Sequence, residues 1–161
     1  MEINVLIDED FEAHLEAGWL AEVARQVLTA EQASPDAELS LVITGQERVR
    51  QLNRDYLNRD RPTDVLAFSM LAALPAEGET SAPPFVAPPD GVLHLGEVII
   101  SYPQAVIQAE EHKHPVRKEI ALLIIHGVLH LLGYDHEKPE EKRRMRAREK
   151  EILGSIESVY Q

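Results

Sequence analysis

Three histidines carry the chemistry open to this chain. His126 and His130 stand four apart in an apolar run of helical character, so both imidazoles leave one helix face about 6 Å apart at Cβ. That is the spacing of a zinc-chelating pair. Gly133 follows the last apolar residues and suits the left-handed conformation that ends a helix, so His136 can return toward the pair. Three neutral imidazole nitrogens suit Zn²⁺ and leave a fourth tetrahedral position for water. Either helical histidine alone would read as a packed core residue. The full H-x3-H-x5-H pattern, with its glycine breaker, favours metal. With no cysteine in the chain a closed cysteine-rich zinc site is excluded, which leaves a catalytic one.

The same spacing occurs in the metzincin motif H-E-x-x-H-x-x-G-x-x-H, which makes peptide hydrolysis the first rival. There the Glu after the first His acts as general base. Here that position is Gly127, which can neither take a proton nor orient a water.

The histidines need a scaffold, and the patterning supplies one. Ile3, Val5 and Ile7 alternate in a first strand, and Phe11 to Ala30 reads as an amphipathic helix with Leu20, Val23, Ala24, Val27 and Leu28 on one face. Leu39, Leu41 and Ile43 mark a second strand. Thr44-Gly45-Gln46-Glu47 reads as a capping box opening a helix with Val49, Leu52 and Tyr56 buried. Asp64 to Ser69 and Leu93 to Ser101 read as two further strands. Residues 75–90 hold five of the ten prolines, which predicts a long loop without regular structure. Ser101-Tyr102-Pro103-Gln104 is a second capping box, for a helix to about His112, and His114-Pro115 opens the histidine helix. A last helix follows Lys138-Pro139 to about Val159. The order βαβαββααα implies an α+β fold in one domain, residues 1–161. It is a small mixed four-stranded sheet covered by about five helices, with the zinc site at the end of one helix.

Composition bounds the rest. The first ten residues are acidic where a secretory segment would be basic. The longest apolar run, Ile120 to Leu132, has 13 residues against the roughly 20 of a membrane span. We therefore expect a cytoplasmic protein without a membrane partner. Net charge is −12, yet residues 48–61 hold five Arg against two Asp, and residues 138–151 hold seven Lys or Arg against four Glu. Two basic islands on an acidic chain suit a phosphate backbone. The plainer alternative is that Glu140, Glu141, Glu149 and Glu151 pair with neighbouring bases on a solvated helix.

Three blocks, His126-Gly-Val-Leu-His-Leu-Leu-Gly-Tyr-Asp-His136, Arg61-Pro-Thr-Asp-Val-Leu-Ala-Phe68 and Leu95-Gly-Glu-Val-Ile-Ile100, together resemble the YbeY family over essentially the whole chain. The resemblance implies a zinc-dependent, single-strand-specific endoribonuclease that acts in maturation of small-subunit ribosomal RNA and in ribosome quality control. It implies one zinc ion on His126, His130 and His136, and single-stranded ribosomal RNA, the ribosome and small-subunit factors as partners. One departure stands out: after the Tyr56 position the family usually has an arginine important for cleavage, and here it is Leu57.

For the general base, Asp64, Glu97 and Asp135 are candidates, against plain roles as strand-end cap, strand-face charge and orienting partner of a ligand imidazole. Arg54, Arg59, Arg61, Arg143 and Arg144 are candidates for holding RNA. His94, His112 and His114 lack ligand spacing to one another and read as structural or exposed. Two rivals stay beside the nuclease: a ribosome-associated binding factor whose zinc holds the site together, and a metallohydrolase of another substrate.

Overall fold

The structure, a computed structural model, describes residues 1–57, 63–70, 92–134 and 138–157. Its strands are β1 (Glu2–Ile7), β2 (Ala37–Thr44), β3 (Val65–Ser69) and β4 (Leu93–Ser101). Its helices are α1 (Ala17–Ala30), α2 (Gln46–Leu57), α3 (Tyr102–Glu111), α4 (Val116–Leu131) and α5 (Pro139–Ser155), with a short 3-10 turn at Glu9–Phe11. The expected proline-rich loop lies outside the described residues.

The strands form one mixed sheet in the order β1-β2-β4-β3. β1 and β4 run parallel to β2, and β3 runs antiparallel to β4. Period-2 alternation decides which residues each face receives. Leu39, Leu41 and Ile43 of β2 and Val98 and Ile100 of β4 are fully buried in the main core with α1 and α4. On the other face, Val49 of α2 closes over Leu66 and Ile99 to make a smaller apolar cluster with Val42, Leu52 and Phe68.

Two helix starts differ from the patterning. The first helix begins at Ala17 rather than Phe11, because Glu9–Phe11 winds as a 3-10 turn that Asp8 caps and Phe11 packs against Tyr102, ring centroids 5.2 Å apart. Thr44 ends β2 rather than capping α2, and its hydroxyl donates to Asp8 Oδ2 at 3.2 Å, tying the ends of β1 and β2. Ser101 does cap α3: its Oγ accepts from the Gln104 N–H.

α4 is the central element. An amphipathic helix buries one stripe, whereas α4 buries residues nearly all round, among them Ile120, Ile124, Ile125, Val128 and Leu129 at 0% exposure. It lies so close to β4 that a Cβ on Gly127 would stand 2.5 Å from Val98 Cγ1. Glycine occupies that position because the approach leaves room for nothing larger. At the far end Gly133 takes φ 105°. The Tyr134 N–H reaches Leu129 O at 3.0 Å and the Gly133 N–H reaches His130 O at 3.1 Å, the two bonds of a Schellman ending.

Candidate metal centre

α4 sets His126 and His130 side by side, with ring centroids 4.7 Å apart and ring planes at 74°. One turn of helix separates them, so the geometry follows from the i, i+4 spacing. His126 Nδ1 stands 3.0 Å from Glu149 Oε1 on α5. A carboxylate there accepts the Nδ1–H proton, which fixes the tautomer and makes Nε2 the nitrogen that would ligate. The donor chemistry therefore fits a zinc-class ion, with His126 and His130 as two ligands and Glu149 as the orienting group. The third expected ligand, His136, lies outside the described residues, as do Asp135, Arg59 and Arg61.

α5 supplies the wall of this site. Lys142, Arg146 and Glu149 recur at helical spacing on one side and, with Met145 and His126, line a cavity of about 250 Å³. Met145 is 1% exposed and anchors the helix, while Lys142 and Arg146 are exposed. A second cavity, about 560 Å³, lies at the end of α4 between Leu132, Gly133, Tyr134, Glu141 and Arg144. Burial first, and then the Glu31 carboxylate, pushes the Tyr134 phenol up, so it stays neutral. Arg144 thus faces a neighbouring hollow, and Arg143 lines neither. Arg148 is spent on structure: it donates to Glu31 Oε1, Glu151 Oε2 and the carbonyl of Ala30, clasping α5 to the end of α1. Arg54 is exposed and pairs with Asp55.

The acidic candidates divide. Asp64 Oδ1 accepts from the Val65 N–H at 2.8 Å and from the Thr63 hydroxyl, and Oδ2 accepts from Gln108 at 3.2 Å. It caps the start of β3, with both oxygens hydrogen-bonded. Glu97 is exposed on the face of β4 opposite Val98 and lines a groove of about 720 Å³ with Arg48, Leu52, Tyr56 and Phe68. The sheet stands between that groove and the helix that carries His126.

A second cluster has no signature in the sequence spacing. His112 and His114 do meet, at Glu119 in the first turn of α4, because Lys113 takes a left-handed φ of 56° and turns both rings toward that carboxylate. Glu119 is 3% exposed. Its Oε1 accepts from His112 Nδ1 at 3.0 Å and His114 Nε2 at 2.6 Å, and its Oε2 accepts from Gln108 at 2.9 Å. Burial opposes the Glu119 charge, but the donors on His112, His114 and Gln108 outweigh it and hold the carboxyl below its usual range. Among the described residues this is the group of three whose ligand atoms, all within 4.8 Å of one another, could hold a metal ion. Five and seven residues separate Glu119 from the two histidines, and only the left-handed turn closes that gap.

A family profile described as Endoribonuclease YbeY matches residues 6–157. The chain belongs to the YbeY family. An Endoribonuclease YbeY of Dehalococcoides mccartyi is 46% identical over 161 residues, which is 100% of this chain and 93% of that protein. Those of Chloroflexus aurantiacus and Roseiflexus castenholzii are 43% and 39% identical over 94% and 96% of this chain and 92% of each relative. The solution structure of TM1509 from Thermotoga maritima superposes with a TM-score of 0.54 at 22% identity, covering 97% of this chain and 92% of that one, a likeness of fold. Glu149, Lys142 and Arg146 are the neighbours of His126 that histidine spacing could not announce, since they arrive from a different helix. No helix among the described residues is long and apolar enough to cross a membrane.

Proposed function

We propose that this chain is a metal-dependent endoribonuclease that cuts single-stranded RNA, with zinc held by His126, His130 and His136. The observation that carries the reading is the His126–His130 pair oriented by Glu149 beside two exposed cations of α5. When bound, a zinc ion polarises a phosphoryl oxygen and makes water a nucleophile at neutral pH. The chain's own residues do the rest. Glu149 holds the Nδ1 proton of His126, so the ring cannot turn away or change tautomer. Lys142 and Arg146 hold the RNA backbone against the cavity, because a phosphodiester carries its charge on the oxygens that Lys and Arg donors match. The family resemblance supports small-subunit ribosomal RNA as the substrate, handled in the cytoplasm with ribosomal partners by a single domain spanning residues 1–161.

The test is cleavage of a single-stranded RNA by zinc-loaded protein, beside His130→Ala from a parallel preparation. Cleavage by the first and none by the second supports the reading. Equal cleavage by both means a contaminating nuclease. Leu57, where the family usually carries arginine, favours a second reading, an RNA-binding factor with little turnover. If wild type and Leu57→Arg both keep zinc and bind RNA but leave it intact, that second reading replaces the first.

A further inference from the structure

The corner between α3 and α4 holds a buried carboxylate that no Lys or Arg neutralises among the described residues. Glu119, at 3% exposure, there meets two imidazoles and one amide. A buried carboxylate normally needs a cationic partner or a metal. The imidazoles converge on one oxygen, Oε1, while Gln108 holds the other and is itself fixed by Asp64 Oδ2 at 3.2 Å. One carboxylate oxygen is thus tethered and the other presented, the arrangement outer partners impose on metal-ligating carboxylates.

We propose that His112 Nδ1, His114 Nε2 and Glu119 Oε1 form a second divalent-cation site, which takes a zinc-class ion. Two imidazoles and one carboxylate are a borderline donor set that suits zinc or cobalt, whereas magnesium and calcium take oxygen. Tetrahedral bonds of about 2.0–2.1 Å put ligand atoms about 3.3 Å apart, so the observed 3.0 and 2.6 Å contacts open by less than about 1 Å. Each imidazole then turns a lone pair to the ion, and its proton moves to the other ring nitrogen or to solvent. His112, with a side chain 57% exposed, lets the ion in from solvent and leaves room for a water ligand. Glu119 and His126 are seven residues apart on α4, nearly the same side, so the two centres stand about 10 Å apart along one helix. The corner ion would clamp the C-terminal end of α3 and the left-handed turn at Lys113 onto the start of the histidine helix.

The two centres are separated by working in a His126→Ala/His130→Ala chain, full length and without a histidine tag. After loading with zinc or cobalt and dialysis against buffer, we expect one ion per chain, a visible cobalt absorption of low symmetry and a raised melting temperature. His112→Ala, at an exposed position, should lower the affinity by more than about 100-fold, and Glu119→Gln, which keeps the volume and one acceptor oxygen but loses the acceptor that faces Gln108 Nε2, should do the same. Loss of all metal from the His126→Ala/His130→Ala chain would overturn the proposal and leave the corner a hydrogen-bonded latch. So would retention that His112→Ala and Glu119→Gln do not change, or displacement of the ion by excess magnesium.

Discussion

Glu149 touches His126 across 23 residues of sequence, and its consequence is a matter of one hydrogen bond. Outer partners of metal-bound imidazoles are worth 10–100-fold in affinity, so Glu149→Ala should weaken zinc binding by about that factor. Competition against a chromophoric chelator measures it, and an unchanged affinity would remove Glu149 from the site. Asp64 has the opposite character. Its carboxylate serves the Val65 N–H, the Thr63 hydroxyl and Gln108, so Asp64→Ala should cost about 1–3 kcal/mol of stability and leave zinc content unchanged. If cleavage vanished while the urea midpoint held, Asp64 would be restored as a general base. At position 57, Leu57→Arg should raise turnover by about 10²–10³ if the family arginine stabilises charge on the phosphate.

Residue types and spacing announce the helical pair because ligands on one helix obey a fixed period. Glu149 instead reads, from sequence, as one of four acids paired with bases on a solvated helix. The structure shows it spent on His126. Nothing local in Arg-Ala-Arg-Glu-Lys distinguishes a solvated acid from one facing a histidine, so tertiary packing alone decides.

Among the elements, α4 shows why Gly127 stands where metzincins carry their base. With Val98 Cγ1 only 2.5 Å from where a Cβ would stand, the helix could not keep its seat on β4. Gly127→Ala gains about 1 kcal/mol in helix propensity but incurs about 1–3 kcal/mol of overpacking against a fully buried valine. We expect net destabilisation. Adding Val98→Ala makes room, so the double variant should be more stable than the sum of the single changes, as a urea double-mutant cycle will show. Additive changes would mean that the helix shifts freely. The elements themselves were legible, since alternation and helical periodicity give the right order of four strands and five helices. The start of α1 and the role of Thr44 were not, because Phe11 and Asp8 act through partners remote in sequence.

For the whole molecule the question is how a chain of net charge −12 binds a polyanion. The structure sorts the basic island of α5 by direction: Lys142 and Arg146 toward His126, Arg144 toward the neighbouring hollow, and Arg148 into Glu31 and Glu151. Composition gives the count of such charges but not their facing. Each single-strand phosphate contact contributes about 0.7 to the slope of log affinity against log salt, so Lys142→Glu/Arg146→Glu should flatten it by about 1.4. Arg143→Glu should change it less. Equal slopes for wild type and the paired reversal would move the RNA path off this face.

The clasp of Arg148 on Ala30 and Glu31, the buried stripe of Met145, Ile152 and Ile156 and the Glu149–His126 contact fasten α5 to the body. That helix packs chiefly on α4 and takes no part in the sheet's hydrogen bonding, so its local opening is expected to come before that of the strands. Opening would carry Glu149 off His126. An ion that prefers the closed form must then slow isotope exchange at the amides of α5, by about 100-fold at a hundred times its dissociation constant, and leave those of β2 and β4 unaltered. Deuterium uptake along residues 139–155, followed with and without zinc, would show the helix behaving as the door of its own site.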